Sequence, residues 1–311
     1  MPLCPFFSVV IPTFNREKTI LNTIQSVLEQ TFTDFEILVI DDGSTDDTSK
    51  TLGPIQDSRF SYHKIEASGG PARPRNIGVQ KAQAKWICFL DSDDFWFKNK
   101  LETIHSQLIN HPQIDFIFHG LNVLGEGSRE IHKKIPLNPV TKPVYKSILL
   151  NCYNKTIPTS TVTVKKDLLQ QVGGFNEDPS YVSMEDFDLW VRISKVSDHF
   201  KKCDIVLGNY YVSPDSITTY NLRRWSHLEK IITENLDKSK FSNRELIHIQ
   251  AYLIYSKARV LQLNHAYRDS LFQYVEVLKL KVFKTYSMLT FLFILKLIFL
   301  IILKKKSSIN L

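Results

Sequence analysis

Short apolar runs alternate with segments of helical periodicity along the first third of the chain. Four runs, rich in β-branched and aromatic residues, end near prolines or polar turns, which is typical of buried strands. They are Phe6–Ile11, Phe35–Ile40, Arg59–Ile65 and Trp86–Leu90. An amphipathic helix is expected from Ile20 to Leu28, with Asn15 as its N-cap, and another through Val79 to Ala84. This alternation predicts an α/β fold with a doubly wound, mostly parallel sheet and helices on both faces.

The second half of the chain is less regular. Ile114–Val123 and Ser160–Val164 are expected to be strands, and Lys166–Val172 a short helix ended by two glycines. Ser183–Val196 has the pattern of a longer helix, in which Trp190 is expected to belong to the core. From Arg224 to Lys281 the periodicity is helical, which predicts a C-terminal helical extension.

Charge is distributed unevenly along the 311 residues. The formal net charge is +7, and the seven lysines beyond residue 276, where there is no acidic residue, account for all of it. A nucleic-acid-binding protein would carry this charge on its folded body, so we expect no nucleic-acid partner. The four cysteines are far apart, which excludes a Cys-rich zinc site or a disulfide scaffold and suits a reducing cytosol.

A basic, apolar tail ends the chain at 282–311. Its apolar run, Met288–Leu303, contains Lys296 and is followed by three lysines. The run is shorter than the roughly 20 residues that span a bilayer, so we expect an interfacial helix whose lysines contact anionic headgroups. A single membrane span and a hydrophobic helix docked on the globular part are the alternatives. The start of the chain does not resemble a signal peptide, so we place the protein on the cytoplasmic face of the membrane, peripheral or single-pass.

Acidic residues cluster where two predicted strands end. Asp91, Asp93 and Asp94 follow one strand, and Asp42 follows another. Crowded carboxylates repel one another, and Mg²⁺ or Mn²⁺ completed by substrate phosphates would relieve that repulsion. The alternative for Asp91–Asp94 is a solvated turn that caps a helix near Phe97. Neither GxGxxG nor a P-loop sequence occurs. Ser44 or Thr45 is expected to cap a helix, which leaves Asp42 to accept hydrogen bonds from a base or ribose.

Five segments in order resemble the motifs of family 2 glycosyltransferases with the GT-A fold. They are Ser8–Glu17, Phe35–Thr48, Gly70–Gly78, Phe89–Asp94 and Met184–Ile193. The resemblance covers about residues 6–220. It implies a nucleotide-sugar-binding half at 1–105 and an acceptor or catalytic half at 106–222, followed by the helical extension at 223–281.

The resemblance also implies roles for individual residues. Pro12, Phe14 and Asn15 would line the base pocket, and Asp42 would bind the uracil or ribose. Arg75, with Arg73 as a less favoured substitute, would contact the donor near its diphosphate. Asp91 and Asp93 match the DxD pair, with Asp93 or Asp94 nearest the metal. Asp186 matches the general base, supported by Glu185; alternatively, both acids only complement the helix dipole.

The implied activity is metal-dependent, inverting transfer of a sugar from a nucleotide-diphosphate donor, expected to be a UDP-sugar, to a glycan or lipid-linked acceptor in surface polysaccharide biosynthesis. A nucleotidyltransferase that makes sugar nucleotides, and an inactive membrane-tethered nucleotide-sugar-binding protein, are the alternatives. The chain departs from the family pattern at Tyr211 and Ser213, which stand where an Arg and a His are often found.

Overall fold

The protein is described by a computed structural model. It describes residues 4–125, 130–131, 133–135, 140–151, 157–211, 221–280, 293–295 and 298. The chain divides into two compact units. The first comprises residues 1–147 and 155–216, and the second comprises 148–154 and 217–311.

The first unit is built on a mixed sheet. Its strands are β1 Phe7–Thr13, β2 Phe35–Asp41, β3 Phe60–Lys64, β4 Trp86–Phe89, β5 Phe95–Trp96, β6 Phe116–Leu124, β7 Glu130–Ile131, β8 Lys133–Lys134, β9 Val162–Lys165 and β10 Phe200–Tyr211. The order along the sheet is β3-β2-β1-β4-β9-β6-β10-β5, with β7 and β8 also paired to β6. The first four strands of this order are parallel, whereas β9 runs antiparallel to both of its neighbours. The carboxyl ends of β1, β2 and β4 therefore share one edge.

The described residues of both units also form helices. Their bounds are α1 Ile20–Leu28, α2 Thr48–Leu52, α3 Ala72–Lys81, α4 Lys100–Asn110, α5 Val144–Leu150, α6 Lys166–Gln171, α7 Glu185–Ser194, α8 Leu222–Asn235, α9 Asn243–Leu263 and α10 Tyr267–Lys279. Helices α1 and α4 pack in one apolar cluster with Val9 and Ile11 of β1. Helix α3 approaches Val10, on the opposite face of that strand, so closely that a Cβ on Gly78 would lie 2.3 Å from Val10 Cγ1. The expected helices on both faces are present.

Several local predictions need correction. Asn15 is not the cap of α1, because the chain makes a turn at Arg16 and the helix begins only at Ile20, with Thr19 at the N-cap. Neither Ser44 nor Thr45 caps α2, whose N-cap is Asp47. The acidic turn does not cap α4, which begins at Lys100 after Asn99.

Strand β10 has no counterpart among the predicted elements. Its sequence, FKKCDIVLGNYY, lacks regular alternation, and its pairing with β6 shifts register twice. Such bulges remove the two-residue period by which a half-buried strand is recognised in a sequence.

The second unit contains the predicted helical extension. Helix α9 begins with a capping box between Ser242 and Glu245, and α10 packs on it through Tyr274 and Ala258. Phe293 of the tail stacks on Tyr274 with ring centres 5.8 Å apart. No helix in the described part of the chain is long and apolar enough to cross a membrane. Most of the predicted tail lies outside the described residues.

Candidate active site

The acidic turn Asp91–Asp94 follows β4, at the shared edge of the parallel strands. The Asp91 backbone N–H donates to Ser160 Oγ at 3.0 Å. Asp93 Oδ2 lies 3.5 Å from a guanidinium nitrogen of Arg16, and Asp94 Oδ1 accepts from the backbone N–H of Tyr211 at 3.1 Å. The turn is therefore built against residues from distant parts of the chain.

Burial gives this turn unusual electrostatics. Asp94 is only 1% exposed, and its Oδ2 atom has no hydrogen-bond partner among the described residues. Burial, reinforced by the charges of Asp93 and Asp91, raises the pKa of Asp94 well above its ordinary range. Burial and the charge of Asp91 also raise the pKa of Asp93, against the lowering effect of Arg16. Burial and mutual repulsion therefore oppose simultaneous ionisation of Asp93 and Asp94 unless a further positive charge is present.

Arg75, on α3, joins the acidic turn to helix α7. Its Nη2 donates to Asp91 Oδ1 at 2.7 Å, and its Nη1 donates to Glu185 Oε1 at 2.8 Å. The residue is 3% exposed, and its guanidinium lies over the Phe175 ring at 5.2 Å. Although burial opposes the charged form, the two carboxylates outweigh it and raise the pKa of Arg75. Arg75, which is predicted to contact the donor, is thus paired with Asp91 and Glu185 in this structure.

The predicted base lies at the start of α7, where Glu185 and Asp186 occupy the first turn. Glu185 is buried, whereas Asp186 is partly exposed. Asp186 Oδ2 accepts from Thr159 Oγ1 at 3.3 Å. A cavity of 340 Å³ lies beside Glu185, between the loops at 67–73 and 176–182. The predicted substitute Arg73 lines this cavity.

The predicted nucleotide-binding residues gather at the ends of β1 and β2. Asp42 is buried, and its Oδ1 accepts from both the backbone N–H and the hydroxyl of Ser68, at 2.8 and 2.7 Å. Phe14 is 49% exposed, which leaves its ring available to a planar ligand. Pro12 is buried within β1, opposite Ile40.

Asn15 ties the two strand ends together. Its backbone N–H donates to Ser44 Oγ at 2.9 Å, and its Oδ1 accepts from the Thr45 N–H at 2.8 Å. Its φ of 51° lies in the left-handed region, which asparagine tolerates better than most residues. These hydrogen bonds therefore give Asn15 a role in shaping the edge of this site.

Two groups of residues in this region were not singled out from the sequence. Asn76 Oδ1 accepts a hydrogen bond from the Phe175 N–H at 2.8 Å, and Asn76 Nδ2 donates to the Phe175 carbonyl at 2.9 Å. These two hydrogen bonds hold α3 against the loop before α7. Thr159 and Ser160 contact both acidic clusters. Asn76 stands next to Arg75 in a predicted motif, but its partner is 99 residues away and no local pattern indicates it.

The acidic turn offers carboxylate oxygens to a divalent cation. Within the described ranges, no three His, Cys, Asp or Glu side chains converge to hold a metal ion by themselves. Asp91 is engaged by Arg75, whereas the orphaned, buried Oδ2 of Asp94 and the carboxylate of Asp93 lack full neutralisation. This donor set fits Mg²⁺ or Mn²⁺ bound by one or two carboxylates and completed by phosphates of a ligand.

One of the two departures from the family pattern, Tyr211, lies at the end of β10. Tyr211 closes that strand and contributes its backbone N–H to Asp94. Ser213 lies outside the described residues.

The amino-acid sequence is similar to those of known glycosyltransferases. The family model described as Glycosyl transferase family 2 matches residues 8–165. The UDP-Glc:alpha-D-GlcNAc-diphosphoundecaprenol beta-1,3-glucosyltransferase WfgD of Escherichia coli is 31% identical over 234 residues, which are 74% of this chain and 87% of that protein.

Solved structures support the same fold. TarS 1–349 of S. aureus in complex with UDP-GlcNAc has a TM-score of 0.61 at 20% identity, covering 91% of this chain and 90% of that one. The mannosyltransferase PcManGT of Pyrobaculum calidifontis, in complex with GDP-Man and Mn²⁺, has a TM-score of 0.61 at 18% identity, covering 95% and 86%. The predicted GT-A fold is confirmed. The family model matches half of this chain, and the match to WfgD covers 87% of that relative at 31% identity. The chain therefore belongs to glycosyl transferase family 2.

Proposed function

We propose that this glycosyltransferase moves a sugar from a UDP-sugar to a hydroxyl of a glycan or lipid-linked acceptor, with inversion at the anomeric carbon. The observation that carries the proposal is the Arg75 bridge between Asp91 and Glu185. It supports a single site in which the acidic turn holds the diphosphate of the donor and the start of α7 faces the acceptor.

Each side chain has a distinct task in this scheme. Asp42 and Phe14 hold the base and ribose at the ends of β1 and β2, beside Pro12 and Asn15. Asp186 accepts the proton of the acceptor hydroxyl while that oxygen attacks the anomeric carbon. The bond from this carbon to the diphosphate oxygen breaks on the opposite face, so the nucleoside diphosphate leaves with the electron pair and the configuration inverts. Glu185 fixes Arg75, which in turn holds Asp91 beside the leaving group.

A divalent cation is part of the proposal. Asp93 and Asp94 would hold Mn²⁺ or Mg²⁺ together with Asp91, and the cation would neutralise charge on the departing diphosphate. The orphaned oxygen of Asp94 supports this assignment. The Mn²⁺ in the complex of PcManGT supports it by analogy of fold.

The donor and acceptor classes follow from the relatives. The name of WfgD gives UDP-Glc as donor and a diphosphoundecaprenol-linked sugar as acceptor, and the TarS complex contains UDP-GlcNAc. We therefore propose a UDP-sugar and a lipid-linked acceptor for this chain, in the synthesis of a surface polysaccharide. Family membership favours this activity over the nucleotidyltransferase alternative.

We further propose that the second unit brings the enzyme to the cytoplasmic face of the membrane. Phe293 and Ile294 pack against the cluster around Tyr274, whereas Leu295 and Ile298 are 50% and 42% exposed. The described part of the tail thus combines docking on the protein with exposed apolar surface. An exposed apolar side and lysine-rich flanks suit an interfacial contact with anionic lipid.

A transfer assay tests the reaction. The full-length protein is incubated with Mn²⁺, a lipid-linked diphosphate sugar acceptor and UDP-, GDP- or dTDP-sugars in turn. We expect a glycosylated product from a UDP-sugar, with the opposite anomeric configuration to the donor by NMR. Retained configuration would contradict the single displacement, and transfer only from GDP- or dTDP-sugars would contradict the donor class.

A further inference from the structure

Residues 157–161 form a short segment that contacts both acidic parts of the site. Trp190 of α7 donates its indole N–H to the Ile157 carbonyl at 3.0 Å. Trp96 of β5 donates its indole N–H to the Ser160 carbonyl at 2.8 Å. Both rings are almost completely buried. The segment is therefore fixed on one side to the helix of the base and on the other to the strand that follows the acidic turn.

Ser160 fixes the start of the acidic turn. Its hydroxyl accepts the backbone N–H of Asp91 at 3.0 Å. Ser160 is 1% exposed, so this hydrogen bond is shielded from water and holds the first residue of the turn against the segment.

Thr159 contacts the carboxylate of the proposed base. Its Oγ1 donates to Asp186 Oδ2 at 3.3 Å, and the residue is 4% exposed. Thr159 and Ser160 are adjacent and belong to a 3-10 turn, Thr159–Thr161. Their hydroxyls cannot move far relative to each other without changing that turn.

We propose that Thr159 and Ser160 are positioning residues that set the proposed base against the proposed diphosphate and metal site, an inference that rests on the proposed function. Arg75 provides a charged link between the same two regions, through Asp91 and Glu185. The Thr159–Ser160 pair provides a neutral link, through the backbone of Asp91 and the carboxylate of Asp186. Ser160 acts on binding at the acidic turn, and Thr159 acts on the orientation of the proton acceptor. Separate effects of the two hydroxyls distinguish this role from a purely structural one.

The first test removes the Ser160 hydroxyl. Binding of UDP to the full-length protein is measured by calorimetry with and without Mn²⁺, at a temperature where circular dichroism shows every variant to be folded. We expect Ser160→Ala to weaken Mn²⁺-dependent UDP binding about tenfold, because the backbone N–H of Asp91 would lose its buried acceptor and the turn would lose its fixed position. Binding equal to that of the unsubstituted protein would overturn the role of Ser160. If the unsubstituted protein itself shows no Mn²⁺-dependent binding, the proposed function fails, and this inference fails with it.

The second test concerns Thr159. We expect Thr159→Val to lower kcat about tenfold with the KM for the donor within about twofold, and Thr159→Ser, which keeps the hydroxyl, to restore most of kcat. Thr161→Val is the matched control, since the Thr161 hydroxyl donates to the Pro158 carbonyl within the same segment. Equal losses in Thr159→Ser and Thr159→Val, or an equal loss in the control, would overturn a specific role of the Thr159 hydroxyl.

Discussion

The guanidinium of Arg75 donates to Glu185 Oε1 at 2.8 Å, across 110 residues of the chain. The other end of the same guanidinium holds Asp91, so one buried cation connects the strand edge with the start of α7. An uncompensated charge at any of these three positions would be costly because all three are shielded from water to some degree. The relative position of the two acidic regions therefore depends on this residue.

Replacing Arg75 tests that dependence. We expect Arg75→Met to destabilise the protein by about 3–5 kcal/mol, because Glu185 would be left as an unpaired buried charge. Arg75→Lys should retain more stability, since one ammonium group can pair with one carboxylate but does not reproduce the two-ended geometry. Urea denaturation gives the free energy of unfolding, and the transfer assay gives the activity.

A paired variant separates stability from chemistry. In Arg75→Met/Glu185→Gln the buried negative charge is also removed, so much of the lost stability should return while transfer remains impaired. Full recovery of transfer in the double variant would show that the bridge has no role in the reaction.

The proposed base gives a second prediction. Asp186→Asn should lower kcat by about 10²–10⁴-fold while UDP still binds with Mn²⁺, because the amide cannot accept the proton of the acceptor. Asp188→Asn is the control on the same helix, since Asp188 is paired with Arg192, which also donates to the Val172 and Gly174 carbonyls. It should mainly lower the melting temperature. Near-normal turnover by Asp186→Asn would remove Asp186 from the role of base.

Buried His119 gives a prediction about pH. Burial, helped by the charge of Lys100, lowers the pKa of His119 from 6.5 to about 3. The unfolded imidazole takes up a proton below about pH 6.5, whereas the folded one does not until about pH 3, so the free energy of unfolding falls as pH decreases between these values. The neutral imidazole therefore costs no stability above pH 6.5. Between pH 7 and pH 5 the free energy of unfolding should fall by about 2 kcal/mol because of His119.

His119→Asn isolates this contribution. The substitution removes the titrating group, so the difference in free energy of unfolding between pH 7 and pH 5 should be smaller than in the unsubstituted protein by about 2 kcal/mol. Urea denaturation at the two pH values measures it. An identical pH dependence in both proteins would contradict the buried neutral imidazole.

The tail gives a prediction about membrane contact. Replacing exposed Leu295 and Ile298 together by Gln should reduce co-sedimentation with phosphatidylglycerol vesicles about fivefold, because apolar area is withdrawn from the interface. Leu263→Gln, which changes an equally exposed apolar residue of α9, is the control and should bind as before. Vesicle binding unchanged by the double substitution would contradict a lipid contact at these residues.

Much of the sheet edge could be predicted because local patterns specify it. Apolar runs such as Phe35–Ile40 end in acids, and parallel strands place such ends together. The contacts that α7 makes with the rest of the site could not be predicted in the same way. Arg75 meets Glu185, and Thr159 meets Asp186, through packing of elements that are distant in sequence. The prediction of a strand from Ser160 also concealed the 3-10 turn Thr159–Thr161, which places those hydroxyls.

The buried polar residues Lys100 and His119 could not be predicted from the sequence either. Lys100 and His119 are both fully buried, although neither residue type is usually found in a core. Lys100 lies over the Trp96 ring at 3.6 Å and donates to Thr163 Oγ1 at 3.3 Å. Such a site depends on one ring and one hydroxyl from separate strands, and the hydropathy pattern of α4 does not specify them.

Calorimetric titration of the full-length protein with UDP, GDP and dTDP, with and without Mn²⁺, tests nucleotide and cation binding at the acidic turn. We expect UDP to bind tightly only with the cation, and Asp93→Ala to abolish the effect of the cation while the protein remains folded. Absence of nucleotide binding by the folded protein, or a cation effect that persists in Asp93→Ala, would contradict the proposed donor site.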